Sequence, residues 1–503
     1  MNSRVSLFAT MLLIAPPAFA DVTAEDIWLN WQVYANSFGM NIRGNETAGS
    51  NDLTIEDAEI TGDFMEGNAT FEINLGTLRF EETGDGDVLI VLPPELQAVS
   101  RVDAGIGGVQ NSEATYTHAG LSIVVTGEPD DLQYDYTAAE ISGTTERSTI
   151  SQEQLVGMQT SNFTLANLSG QSTEKLGEAR EVDGEFTAAS INYTSRFEDK
   201  VIGTVADVTG SARDITLTSE NTIPLQISED FDPNQQLAAG LSAQGQIKVG
   251  ANRTEISSKG DEPIDMRLSA DGASVAFDLT KEGLTYDVAQ VNTSAQIAGD
   301  FMPASVAFSI ADSAFSVGFP VVESDQAEDI ALLVTLDGIT LSETLWSVFD
   351  PQAALPRDPA RVMLDLTGKA RLLFDMLDAP DATEMMAQNF SPAELESLQI
   401  NGMEVAAMGA SLTGEGAFTF SKAESGPGPA LPRPEGAIDL TLTGANALLD
   451  KLVGAGLLPQ EQAMGARMMM GMLGVPAATP DTLTSKIEVN EEFHIFANGQ
   501  RIQ

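Results

Sequence analysis

Histidine and cysteine are the first residues to weigh, because between them they carry most transition-metal, nucleophilic and general-base chemistry. The chain has two histidines, His118 and His494, and no cysteine. Zinc or copper sites built on imidazole or thiolate are disfavoured on that count, as is a paired-histidine mechanism. His494 sits in the apolar run Phe493-His494-Ile495-Phe496 and His118 beside Gly120 at the start of a strand, so both read as structural. No Gly-x-Ser-x-Gly elbow accompanies either one. The glycine run Gly105-Ile106-Gly107-Gly108 lacks the third glycine of a dinucleotide loop, and nothing resembles a Lys-Ser/Thr phosphate loop. Carboxylates are plentiful, with 74 acidic residues. Paired carboxylates are what a glycosidase needs, but at this density pairs arise everywhere. Glu81, Glu82, Asp85 and Asp87 could gather calcium, yet their spacing misses the EF-hand loop and suits a hairpin turn. No catalytic residue, metal ligand or cofactor site is assigned.

Methionine is the one unusual local composition. Met464, Met468 and Met472 recur at i, i+4 and i+8, with Met469 and Met470 alongside, so one helix carries a broad thioether surface. Core packing is the ordinary use of such a stripe, and a soft Cu(I) site is a third use. These three methionines are nevertheless the candidate ligand-binding residues, as an adaptable surface for a protein partner or a lipid.

The elements that must position them are mostly strands. Phe71, Ile73 and Leu75 alternate, then Leu78 and Phe80, then Gly84-Asp85-Gly86-Asp87 turns the chain into Val88 to Leu92. Leu121 to Thr126 and Leu132 to Tyr136 flank another turn. Met266 to Ala270, Asp271-Gly272, and Ala273 to Leu279 form the clearest hairpin signal, and Leu284 to Val288 continues the meander. Val306 to Ile310 and Phe315 to Val321 behave likewise. One face of these strands is apolar and the other small or polar, as in antiparallel strands covered on one side.

Helices are fewer. Thr23 caps one in which Ile27, Trp28, Trp31, Tyr34 and Phe38 share a face before Gly39. Further helices are expected over Ser342 to Phe349, from the capping box Ser391-Pro392-Ala393-Glu394, over Ala445 to Ala455, and from Pro459 to Leu473. The segment from Glu424 to Gly436 is a Pro/Gly-rich connection. Val334 to Gly338 with its helix and Leu440 to Gly444 with its helix form a weak strand-Gly-helix repeat. The expected class is α+β and β-rich: an elongated antiparallel sheet with a few packing or capping helices, more helical in the C-terminal third. The expected organisation is an N-terminal β-rich region over residues 21–232 and a C-terminal one over 233–503, with a pivot near Phe231-Asp232-Pro233.

Residues 1–20 have the form of a signal peptide, with Arg4, an apolar run from Val5 to Ala15 and the small-x-small site Ala18-Phe19-Ala20. Cleavage after Ala20 and a periplasmic address follow as expectations. No later run reaches the roughly 18 apolar residues of a spanning helix, so the chain is not expected to span a membrane. The formal charge of -49 repels phosphate backbones and anionic headgroups, which excludes nucleic acid as a partner.

At its C-terminal residues the chain resembles an uncharacterised alphaproteobacterial exported family known only as a domain of unknown function. Leu345-Trp346, Phe349-Asp350-Pro351 and Leu355-Pro356-Arg357-Asp358-Pro359 carry the likeness. So do Gly444-Ala445-Asn446-Ala447-Leu448-Leu449, Gly456-Leu457-Leu458-Pro459, Gly465-Ala466-Arg467-Met468 and Asn498-Gly499-Gln500-Arg501. The resemblance implies a periplasmic, β-rich protein, and no catalytic residues carry over from it. In style the one-faced strands are also similar to envelope proteins whose curved sheets hold lipid chains. The expected function is non-catalytic, binding an envelope protein partner or an apolar ligand such as lipid. The alternative is an acidic hydrolase of envelope polymers using paired carboxylates.

Overall fold

The computed structural model describes residues 22–64, 68–103, 109–151, 156–199, 203–225, 233–260, 263–300, 302, 304–378, 393–421 and 433–503. The leader, the run Gly105 to Gly108, the residues Phe231 and Asp232 and most of the Pro/Gly-rich connection lie outside them. Among the described residues all 26 strands belong to one sheet, and neighbouring strands pair antiparallel. The topology is an up-and-down meander. Asp131–Ser151, Val156–Leu176, Ala179–Asp199 and Val205–Pro224 pair in chain order, and from Gly283–Gly299 to Arg433–Thr443 the order again follows the chain. The ladder runs unbroken past residue 233, because Val205–Pro224 pairs with both Ser242–Val249 and Asn252–Lys259.

Five α-helices accompany the sheet among the described residues: α1 (Ala24–Ser37), α2 (Pro233–Ala238), α3 (Glu343–Phe349), α4 (Ala445–Gly454) and α5 (Gln460–Leu473). The α+β expectation is therefore corrected, since strands account for 68% and helices for 12%. The last third is more helical only in part: α3, α4 and α5 fall there, but each is short and none forms a second layer over the strands between them. The helix expected from the box at Ser391 is a strand, Ala393–Ala407. Its alternating side chains pair with strands on both sides, and Glu394 forms an ion pair with Arg371 across the ladder, not a helix cap.

The hairpin expected at Asp271-Gly272 is also overturned. Ile264–Ala270 and Gly272–Thr280 do not pair with each other. They lie end to end along one long partner, Gly283–Gly299, in a single unbroken register. Asn292 on that partner donates its side-chain amide to the Asp271 carboxylate at 3.0 Å, fastening the junction. The Asp-Gly signal is local, whereas a 17-residue partner strand offers ladder bonds to both halves.

That junction belongs to a crease running across many strands. Left-handed residues recur on it, at Asp57, Gly76, Asn167, Asp214, Asn292 and Gly338, with φ between 51° and 69°. The two-residue period skips there by three. In Ala179–Asp199 the shielded positions run 180, 182, 184, 186 and 188, then 191, 193, 195 and 197. Side chains on either side of the crease thus face the same way, and the sheet becomes two leaves with one common inner face. Such a bend places Asn and Asp where φ is positive, because these residues tolerate that region best after glycine.

Helix α1 lies between the leaves at one end. Thr23 caps it reciprocally with Asp26, and Ile27 and Trp28 are fully buried. Trp31 stacks edge-on against Phe80 at 5.5 Å, while the adjacent Asn30 donates to Glu174 at 2.8 Å. Those two strands stand four steps apart in the ladder, about 19 Å across a flat sheet. Both reach one helix only about 10 Å wide, so the sheet curls around α1. The core gathers here, from Ile27 and Trp28 to Leu53, Ile55, Leu78, Phe80, Val88, Ile90 and Val125.

Candidate functional site: an apolar trough

Following directly opposed residues from strand to strand traces the inner face. From Phe80 the row passes through Ile90, Ile123, Tyr136, Gly170 and Phe186. It continues through Leu217, Ile247, Val275, Val288 and Phe315. Val334, Leu364, Met403, Gly414 and Leu440 complete it. At one strand spacing per step the row extends about 70 Å. A parallel row two residues away includes Phe277, Tyr286, Val317, Leu332, Leu366, Ile400 and Ile438. Beyond the crease, the second leaf contributes Leu96, Tyr116, Phe163, Tyr193, Leu268, Ala295 and Phe308. None of these residues is charged, in a chain with 99 Lys, Arg, Asp and Glu that fall mostly elsewhere. The opposite face runs Asp135, Gln171, Glu185, Thr218 and Gln246. The two faces thus differ in kind along the same strands.

Aromatic rings pave this floor. Phe163 lies over Gly143, Phe186 over Gly170, Tyr193 over Gly210 and Phe277 over Gly245, so close that a methyl group on any of these glycines would overlap the ring. The absent side chain lets each ring lie flat on the neighbouring strand, and the floor stays smooth. Two of its hydroxyls are paired within it: Tyr193 Oη lies 2.7 Å from Thr254 Oγ1, and Tyr136 Oη 3.3 Å from Ser172 Oγ.

Burial changes along the trough. Phe80, under α1, is fully buried, whereas Ile247, Phe277 and Phe315 are 46%, 42% and 40% exposed. Past the end of α1 these three side chains keep that exposure among the described residues. At that boundary sits a polar cluster. Arg180 and Glu174, both buried, form an ion pair, Asn30 bonds to both, and the Arg180 guanidinium lies 5.5 Å from the Tyr34 ring centre. Burial raises the phenol pKa of Tyr34, Tyr134 and Tyr136 above the usual value, and the Glu174 charge adds to the rise in all three.

The residues singled out by chemistry are dispersed. His118 Nε2 donates to the carbonyl of Pro93 at 2.9 Å, tying its strand to the turn before Glu95–Asp103. His494 lies 3.1 Å from Glu492, beside the turn that follows Thr482–Val489. The acidic run near Asp85 is a hairpin closed by Thr83 N–H donating to Asp87 O at 2.7 Å. Two deeply buried carboxylates have structural partners: Glu174 holds Arg180, and Asp350 accepts the N–H groups of Ala354 and Leu355 at 2.9 and 3.0 Å. Among the described residues no group of three His, Asp or Glu is placed to hold a metal ion. Met464, Met468 and Met472 lie on α5 and are 64%, 68% and 62% exposed, so they do not pack in a core. The trough itself was visible only as one-faced strands; pairing was needed to align those faces.

Fold and site together define an open, single-sheet β protein whose inner face is a long uncharged trough, plugged by a helix at one end. The chain belongs to the bacterial family described as "Uncharacterized protein conserved in bacteria (DUF2125)", which matches residues 181–491. The match covers the open part of the trough and the helices α3 to α5, and begins well before residue 330, where the sequence likeness is densest. No curated protein matches the chain. Among the described residues no helix is long and apolar enough to cross a membrane.

Proposed function

We propose that this protein is a non-catalytic carrier of lipid acyl chains, working in the bacterial periplasm after removal of the leader at Ala20. The observation that carries this reading is the uncharged inner row that leaves the cover of α1 at Phe186, is exposed at Ile247, Val275 and Phe315, and continues to Leu440. A bound peptide or polysaccharide would bring amide or hydroxyl groups that need partners, and burying one without a partner is costly. The main row offers rings and aliphatic side chains, and its one hydroxyl, that of Tyr136, is already paired with Ser172. Hydrocarbon requires nothing more, and each buried CH₂ contributes about 0.8 kcal/mol. The polar face outside and the charge of -49 keep so long an apolar surface from self-association.

Mass spectrometry of solvent extracts of the purified protein tests this. Phospholipid or fatty acid should co-purify in stoichiometric amount, and Phe277→Asp, on the open floor, should reduce it severalfold. Thr218→Asp, on the outer face of the same sheet, should leave it unchanged. Protein consistently free of lipid, or equal loss from both variants, would rule the carrier reading out.

A further inference from the structure

We infer that the hairpin of α4 and α5 is the face that seats on a lipid bilayer and passes acyl chains to and from the trough; this rests on the carrier reading above. Met464, Met468, Met469 and Met472 are each about 60% exposed or more, on a helix whose only fully buried residue is Ala463. Leu457, before α5, and Val475, after it, extend the apolar surface at 40% and 49% exposure. Unbranched thioether side chains adapt to a fluid surface better than branched ones do.

Position links this face to the trough. Leu440, the last apolar residue of the main row, is opposed by Ser485, whose hydroxyl donates to the carbonyl of Leu473 in the last turn of α5 at 2.5 Å. Gly474 then lies against Leu483, on the same inner face as Ser485. The hairpin therefore stands at the end of the ladder opposite α1, against the inner face that the trough's floor belongs to. Asp481 fixes the other helix there, accepting from the N–H groups of Asn446 and Ala447 at 3.1 and 2.9 Å, and Arg467 ties the two helices by bonding Asn446 and Asp450. The platform is built, not a loose appendage.

Charge selects the occupant. Residues 445–474 hold two acidic residues, Asp450 and Glu461, and two basic ones, Lys451 and Arg467, so the hairpin is neutral. The chain as a whole carries -49 and is repelled by the anionic surfaces of bacterial membranes. A neutral, methionine-rich platform at this end of the trough meets lipid with a smaller electrostatic penalty than the acidic outer face does. A basic or hydrogen-bonding protein partner would be expected instead at the acidic outer face.

The test follows a fluorescent phospholipid leaving phosphatidylcholine vesicles for the protein, with initial rate and final occupancy read separately. Combined Met464→Ser, Met468→Ser and Met472→Ser should slow the rate about tenfold or more while leaving the final occupancy unchanged, since these surface changes leave the floor intact. An unchanged rate would overturn the assignment, including the case in which the face serves a protein partner. If the wild type takes up no lipid at all, the carrier reading fails by itself. Flotation with the same vesicles then decides the platform: wild type floating and the variant not supports it, and identical behaviour of the two refutes it.

Discussion

Glycine on the trough floor acts through what it leaves out. Gly170 opposes Phe186, and the ring occupies the space a side chain would take. Replacing Gly170 by Val drives the ring upward, off its rotamer and into the lumen. Overpacking of this kind costs about 1–3 kcal/mol. Urea unfolding of Gly170→Val should show a loss of that size, and lipid extracted from the variant should fall as well, because the raised ring roughens the floor. Gly177, at a turn where an added Cβ would meet only Ala179 O at ordinary contact distance, is the control and should change far less when made Ala. The sequence displays these glycines only as gaps in an apolar pattern. Which aromatic fills which gap is set by register, because the partners are separated by 16 to 32 residues along the chain.

At the scale of elements, the crease decides the shape. Skips of three in a two-residue pattern, as from Leu75 to Leu78 or from Ile310 to Ser313, look locally like the end of one strand and the start of another. The ladder shows single strands, Ala69–Glu82 and Val306–Phe319, passing through the bend. Asn167 holds a left-handed conformation at that line (φ 52°) in the strand Val156–Leu176. Asn167→Gly should leave stability within about 1 kcal/mol, whereas the β-branched Asn167→Val should lose about 1–2 kcal/mol. Chemical denaturation of the two variants beside the wild type measures the difference, and equal stability would mean the bend does not depend on this backbone conformation. Helix limits, by contrast, were legible: Thr23, Ser342 and Gly474 stand at the ends of α1, α3 and α5, because caps are written in adjacent residues.

At the scale of the molecule, a core gathered around α1 stabilises one end, and on the proposed carrier reading the exposed part of the inner face takes up the ligand. A ligand that binds the folded chain alone stabilises it by mass action, about 2.7 kcal/mol at 100 times its Kd. For a chain of this length that amounts to a rise of about 3 °C in melting temperature. Stripping lipid with detergent should therefore lower the melting temperature by a few degrees, and adding a long-chain fatty acid should restore it. Phe277→Asp should respond to neither treatment. A melting temperature indifferent to delipidation and readdition would separate the apolar floor from any ligand.

By itself the sequence determined the polarity of the strands, the limits of α1, α3, α4 and α5, the absence of thiol chemistry, the acidic charge and the family likeness. Each of these is carried by neighbouring residues or by composition, so no partner in space is needed to see it. Tertiary structure decided that the strands form one sheet, that Asp271-Gly272 lies in a crease and not at a hairpin tip, and that the helices after residue 340 add no second layer. Long-range pairing settled these points. The strand Gly283–Gly299 bonds to both halves of a broken neighbour, and thereby outweighs a turn signal two residues long. The trough is the sum of many such pairings: an apolar face written strand by strand becomes continuous only when the register brings every face to the same side.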